Sequence, residues 1–278
     1  MIRVAAASLF AALAFAALAF AAHAGAPVAF VSDVKGSVTI EGDGVLAFLA
    51  ELAAGTKLLV GSGASVAVTY GASGTEFTLA GPGEFRIDER EVSAEKGTRP
   101  ARRAVTSLPD PTIVARVSRA ATASLRMRGI VPRAEAASAL EYPVDTRVTT
   151  LQPLMRWRVD PAVEGAVVTL VDSNGRQIWK GSAKAGSARP SVKLSPASAY
   201  RWTVVTPKGM LGEARFETLA APLAAKAEKS RAAAKTFPER VLHALLLQDI
   251  GASQEAREAW AALARERPDL TELAALSR

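Results

Sequence analysis

Apolar and polar positions alternate with period two in four short runs of the N-terminal third, at residues 34–40, 65–70, 76–79 and 84–87. Alternation of this kind puts one side-chain row on a core and the other in water, the signature of half-buried strands. Each run is closed by residues that turn a chain: Gly42 and Gly44, Gly61 and Gly63, Gly71 and Gly74, then Gly81-Pro82-Gly83. A turn signal roughly every ten residues fits a small antiparallel sandwich or roll better than a parallel sheet. Residues 45–54 are too short an apolar run to separate a helical turn from a strand.

A second set of alternating runs occupies residues 154–159, 166–171, 177–179, 191–194, 200–205 and 214–218. Its turns are marked by Asp160-Pro161, Ser195-Pro196 and Pro207-Lys208-Gly209. Asn174-Gly175 between apolar runs is a strong hairpin signal. Tyr200, Trp202 and Val204 fall on one face of their strand while Arg201 and Thr203 fall on the other. The period then changes. Residues 221–235 are rich in good helix formers, and a helix from Pro238 to Ile250 stops at Gly251. A third helix follows, capped by Ser253, with Ala256, Ala259, Trp260 and Leu263 on its apolar face. Pro268 ends it, and Asp269 with Glu272 has the capping-box pattern for a last short helix. The expected fold class is therefore mainly β with an α-helical C-terminus. Its parts are a β domain at 25–98, a connector at 99–142, a sandwich at 143–219 and a helical segment at 220–278.

Composition narrows the chemistry. The chain has no Cys and two His, so disulfide frameworks and thiol or Cys-ligated metal chemistry are excluded. Val4 to Ala22 carries no charge, follows Arg3, and ends on Ala22-His23-Ala24, a small-x-small signal peptidase site. Cleavage before Gly25 makes residues 1–24 a signal peptide and the mature protein periplasmic; the competing expectation is an inner-membrane anchor formed by residues 4–22. Cleavage removes His23 and leaves His243, in the first turns of its helix, where a lone His is ordinary packing or surface. The acids Asp88, Glu89 and Glu91 sit on a charged strand end without an evident partner cleft. No phosphate loop or calcium loop is present. These features exclude the usual catalytic constellations, and the expectation is a protein that is not an enzyme, with no cofactor, no metal and no identified small-molecule substrate.

The net charge of +7 is concentrated. Between residues 99 and 133 lie eight arginines, Arg99, Arg102, Arg103, Arg116, Arg119, Arg126, Arg128 and Arg133, against one acid, Asp110. Two readings stand. The segment is a solvated linker or edge strand whose arginines discourage strand association, or it is an electrostatic dock for an anionic cell-wall or lipid surface or an envelope protein. On the second reading the surface is Arg102, Arg103, Arg116, Arg119, Arg126 and Arg128. The mixture of Ile113, Val114, Val117 and Leu125 with arginines in 112–128 is read as one or more exposed strands. No aromatic residue is interleaved for base stacking, so nucleic acid is not an expected partner.

Three resemblances add to this reading. Val34-x-Gly36-x-Val38, Leu52-x-x-Gly55-x-x-Leu58-x-x-Gly61, residues 65–68 and Gly74-x-x-x-x-Leu79 resemble the FecR domain, a periplasmic β module of envelope signalling. That resemblance implies fold more than activity, and it implies no binding residue. The best-known members control a sigma factor through a cytoplasmic N-terminal segment; here only Met1-Ile2-Arg3 precedes the apolar run. Trp157, the Tyr200-x-Trp202-x-Val204 strand and residues 216–219 resemble a fibronectin type III or immunoglobulin-like sandwich, in which Trp157 and Trp202 are core residues; Trp179 is read either as core or as an exposed stacking surface. Residues 237–270 resemble one tetratricopeptide repeat, with Ala244, Gly251, Ala256, Trp260 and Pro268 at its small, turn, small, aromatic and proline positions. One repeat cannot bury both faces, so it must borrow another helix or a partner, and it is either a self-packed hairpin or a binding groove. The expected function is a periplasmic non-enzymatic adaptor of the cell envelope; the alternative is a membrane-anchored FecR-type sensor.

Overall fold

The computed structural model describes residues 26–105, 110–126, 139–158 and 165–278. Residues 1–24, expected to be a signal peptide, and Arg128 lie outside the described residues. By their contacts the described residues form two units, one built from the chain up to Ser73 with Phe77–Ala101, the other from Gly74–Glu76 with Arg102–Arg278.

The first ten strands are β1 (Pro27–Lys35), β2 (Val38–Ile40), β3 (Gly44–Val45), β4 (Glu51–Ala53), β5 (Lys57–Val60), β6 (Ser65–Tyr70), β7 (Thr75–Ala80), β8 (Gly83–Ile87), β9 (Val92–Lys96) and β10 (Ala101–Ala104). They make two five-stranded sheets, ordered β10-β7-β6-β1-β4 and β3-β2-β5-β8-β9. The runs at 65–70, 76–79 and 84–87 are strands here, the run 34–40 is broken at Gly36-Ser37 into the end of β1 and β2, and the open stretch 45–54 resolves into the end of β3, a turn and the short strand β4. Val31, Val68, Leu79, Leu58, Phe85 and Ile87 are fully buried. Buried Ser32 and Thr69 hydroxyls satisfy each other, Thr69 Oγ1 donating to Ser32 Oγ at 2.9 Å. Gly36, at φ +72, faces Ala64 so closely that a Cβ there would meet the Ala64 Cβ at 3.0 Å. The glycine spacing of this region thus has a steric reason at that turn.

In the second unit, β11 (Leu140–Tyr142), β13 (Met155–Trp157) and β16 (Ser187–Ala188) form one small sheet. The larger sheet runs β12 (Thr146–Val148), β18 (Gly209–Thr218), β17 (Ala199–Thr206), β14 (Ala166–Asp172) and β15 (Gln177–Ala183). β12 and β18 pair in parallel, the others antiparallel. Their core holds Met155, Trp157, Val168, Leu170, Tyr200, Trp202, Val204 and Phe216. Trp157 and Trp202 are core residues, 6.4 Å apart between ring centroids, and Trp202 Nε1 donates to the Pro143 carbonyl at 2.8 Å. Trp179 is partly buried against the same core. Residues 191–194, read as a strand, are not one: Leu194 is buried and its N–H donates to Leu151 O at 2.9 Å. Pro190 and Pro196 flank that stretch and remove the donors a ladder would need.

The helices are α1 (Pro111–Arg126), α2 (Ala221–Ala233), α3 (Phe237–Asp249), α4 (Ser253–Glu266) and α5 (Thr271–Leu276). The last four match the C-terminal expectation in type and order. Two caps differ. Ser253 lies inside α4, its hydroxyl turned to Thr146 Oγ1 at 3.1 Å, and Asp269 pairs with Arg267 and leaves α5 uncapped. A capping box appears instead at Thr236 and Glu239, before α3.

The larger correction is α1. The mixed pattern of residues 112–128 predicts exposed strand, whereas the described part, through Arg126, is a helix. Ile113, Val114 and Val117 are spaced i, i+1, i+4, which gathers them on one helical face, and all three are buried. That face packs on α3 and α5. Asp110 starts the helix, accepting from Thr112 N at 2.9 Å and Thr112 Oγ1 at 2.7 Å. The pair α3–α4 is covered by α1 and α5, and by α2 packed on α3.

Replacing Val117 with Asp puts a carboxylate into this buried face. The expected loss is roughly 3 kcal/mol or more in denaturant unfolding, with Arg116 and Arg119 becoming rapid trypsin sites while the strands keep their circular dichroism.

Candidate functional site

The six arginines of the proposed basic surface have different surroundings. Arg103, at the end of β10, is committed to carboxylates: Nη2 is 2.7 Å from Glu76 Oε1, Nη1 is 2.8 Å from Glu239 Oε1, and Nη2 also donates to Thr236 Oγ1 at 3.0 Å. Glu76 is 3% exposed, so this guanidinium neutralises a buried charge. Glu239 in turn accepts from the N–H groups of Lys235 and Thr236 at 2.9 and 2.8 Å. Burial acts to raise its pKa, but those N–H bonds, the Thr236 hydroxyl and Arg103 outweigh it and hold the carboxyl below its usual range. Arg103 is thus a structural cation, and its fork geometry suits the double engagement.

Arg102 is exposed on the same strand. Arg116 and Arg119 are exposed on α1 and, three residues apart, are neighbours on its surface, Arg116 beside the buried face and Arg119 farther round from Ile113, Val114 and Val117. Arg126 lies in the last turn of α1 with its side chain outside the described residues, as is Arg128 altogether. The structure also supplies a cation that the sequence reading missed. Hydrogen bonds from Thr112 lower the Asp110 pKa most, and Arg116 together with Lys226 lowers it further, so exposed Lys226 of α2 stands near the start of α1. No local pattern in the sequence joins residue 226 to residue 116.

A second cluster lies where the sandwich meets α4. Glu255 Oε1 accepts from the Tyr142 hydroxyl at 2.8 Å and from Thr149 N at 3.0 Å. Gln254 Oε1 accepts from Val144 N at 2.7 Å, while its Nε2 donates to Glu141 O at 2.8 Å. The Arg156 guanidinium lies 5.0 Å over the Tyr142 ring and pairs with Glu258. Burial, then the nearby Glu255 and Glu258 carboxylates, push the Tyr142 hydroxyl far above its ordinary range. Gln254 and Glu255 are satisfied by sandwich groups, while Arg156 Nε is buried with no hydrogen-bond partner, so the cluster reads as a joint between sandwich and helix.

A cleft of about 760 Å³ opens beside that joint, lined among others by Arg147, Arg201, Arg215, Asp145, Asp172 and Gly251. His243 is set apart from it. Its Nδ1 lies 3.2 Å from Ser230 Oγ. Burial, helped by Arg231 and opposed by Glu228, depresses its pKa below the ordinary value of 6.5. The acids Asp88 and Glu91 accept, through their backbone carbonyls, the Tyr70 hydroxyl, at 3.0 Å for Asp88, which gives that strand end a packing role. Among the described residues no group of three or more His, Cys, Asp or Glu could hold a metal ion, and no helix is long and apolar enough to cross a membrane. No protein-family model matches the chain, and no curated protein matches it.

Two outcomes follow from this geometry. Arg103→Ala leaves Glu76 buried without its cation and lowers unfolding stability by roughly 2–4 kcal/mol, toward the lower end for a half-exposed arginine; Glu76→Gln in the same background recovers part of the loss, readable in urea titrations of the double-mutant cycle. For His243, the unfolded chain takes up a proton near pH 6.5 while the folded one resists it. Its contribution is therefore fully present above that pH and lost as pH falls through and below it. The urea midpoint should drop less between pH 7.5 and pH 5 in His243→Gln than in the unsubstituted protein.

Proposed function

We propose that the protein is a periplasmic, non-enzymatic adaptor of the cell envelope, exported by residues 1–24, that uses the outer face of α1 to hold an anionic partner. The observation that carries the reading is the anchoring of that helix: Ile113, Val114 and Val117 are buried while Arg116 and Arg119 are exposed. A cationic pair on a helix with a buried back is pre-oriented, so little side-chain and backbone freedom is lost when a partner neutralises it. Lys226 extends the charge beyond the connector. Arg103 does not belong to this surface, since Glu76 and Glu239 already occupy its guanidinium.

The partner chemistry follows from the surface. Exposed guanidinium groups without interleaved aromatics attract carboxylates or phosphates and offer nothing for bases to stack on. In an envelope the matching surfaces are cell-wall carboxylates, anionic lipid head groups and acidic proteins, and the proposal favours the cell wall or an envelope protein. On this reading the FecR-like unit and the immunoglobulin-like sandwich are rigid modules that present the helical layer.

The test uses purified mature protein and cell-wall sacculi. Arg116→Gln with Arg119→Gln should cut the retained fraction about tenfold at an ionic strength of about 50 mM, and the difference should vanish near 0.5 M, where the Debye length falls to about 4 Å. Equal retention of both proteins at low salt would leave the two arginines as solubilising surface only. Anionic vesicles run in parallel distinguish lipid from cell wall.

A further inference from the structure

The strand alternation that sends Tyr200, Trp202 and Phe216 into the sandwich core turns Arg201 and Arg215 outward, and the β17–β18 register sets these two arginines directly opposite each other. Like charges directly opposed on neighbouring strands destabilise a sheet. Glu213 relieves Arg201 only at 3.6 Å. Arg215 makes no ion pair among the described residues.

Both arginines line the cleft of about 760 Å³, a volume within the range of small-molecule sites. Its other charges are largely spent. Arg147 Nε is 3.3 Å from Glu217 Oε2, and Arg147 Nη1 donates to Ile250 O at 3.3 Å. Asp172 accepts from Asn174 N and Arg176 N, both at 3.0 Å, and from Arg176 Nε at 3.2 Å. What remains is Arg215, with Arg201 across from it and only loosely paired to Glu213, and one acid beside them. Asp145 is exposed, held at φ +45, and tied to β18 by its own N–H, which donates to Arg215 O at 2.8 Å. A non-glycine residue in the left-handed region is uncommon, and here it stands next to the unneutralised Arg215.

We propose that this cleft binds a small zwitterionic ligand, an amino acid or short peptide, whose carboxylate bridges Arg201 and Arg215 and whose ammonium group meets Asp145. A carboxylate accepts bidentate bonds from guanidinium forks and relieves their mutual repulsion. Asp145 disfavours a simple dianion such as phosphate and favours a ligand that carries a positive charge as well. The site is separate from the α1 surface and does not rest on that reading.

The experiment measures thermal shift and calorimetric binding on the full mature chain with four probes: alanyl-alanine, its C-terminal amide, its N-acetyl form and inorganic phosphate. Alanyl-alanine should raise the melting temperature, the amide should not, and N-acetylation should weaken binding about tenfold. Arg215→Gln should raise the melting temperature of the unliganded protein at low salt, because it removes the opposed charge, and should abolish the response to alanyl-alanine. Asp145→Asn should bring alanyl-alanine down to the affinity of its N-acetyl form. A wild-type protein that ignores alanyl-alanine, or that binds phosphate equally well, overturns the proposal. So does an Arg215→Gln variant that is less stable than wild type without ligand, since the arginine would then be structural.

Discussion

The first turn of α4 governs the second unit. Gln254 and Glu255 are consecutive, and between them they satisfy Val144 N, Thr149 N, the Glu141 carbonyl and the Tyr142 hydroxyl. These are backbone and side-chain groups of the sandwich's first strands, which would otherwise face the helices with unmet polar atoms. A helix terminus has N–H groups of its own to satisfy, yet here its side chains serve a neighbouring sheet. Because the groups engaged lie on both β11 and the flanks of β12, the joint specifies direction as well as proximity. Gly251 belongs to the same arrangement. At φ +81 it turns the chain between α3 and α4, and a Cβ there would meet Arg147 Cδ at 3.2 Å.

The fate of the basic connector follows from where its neighbours come from. Arg103 is spent on Glu76 and Glu239, the second 136 residues away in sequence. Arg116 and Arg119 are turned outward because Ile113, Val114 and Val117 have helices to pack on. One run of positive charge therefore serves two ends. Its first part compensates a buried acid and a helix cap, and its middle part lies on an exposed helical surface.

Most strand positions in both units could be read from local pattern, because alternation such as Tyr200-x-Trp202-x-Val204 is written in adjacent residues. So could the two core tryptophans, as the large side chains of a sandwich without disulfides. The helix α1 was obscured by β-branched Ile113, Val114 and Val117, which favour strands by propensity, and by the absence of any local sign of the helices that cover them. Tertiary packing overrode propensity there. The capping box at Thr236 and Glu239 was visible as a Thr-x-x-Glu spacing, whereas Ser253 and Asp269 had the right residue types in the wrong turn. The Arg201 and Arg215 pair was half legible. The outward direction of Arg201 followed from alternation, but its opposite partner depended on a register that only hairpin geometry fixes.

The burial of α1 by residues beyond 236 has a consequence for assembly. An apolar helical face at 113–117 is synthesised more than a hundred residues before its cover, with the whole sandwich lying between them in the chain. Long-separated contacts of this kind form late, and an uncovered apolar stretch is where chains adhere to one another. Arginines flanking such a stretch act as gatekeepers in nascent polypeptides. Arg116 inside that stretch and Arg119 just beyond it interrupt its run of apolar residues while the helical layer is still incomplete.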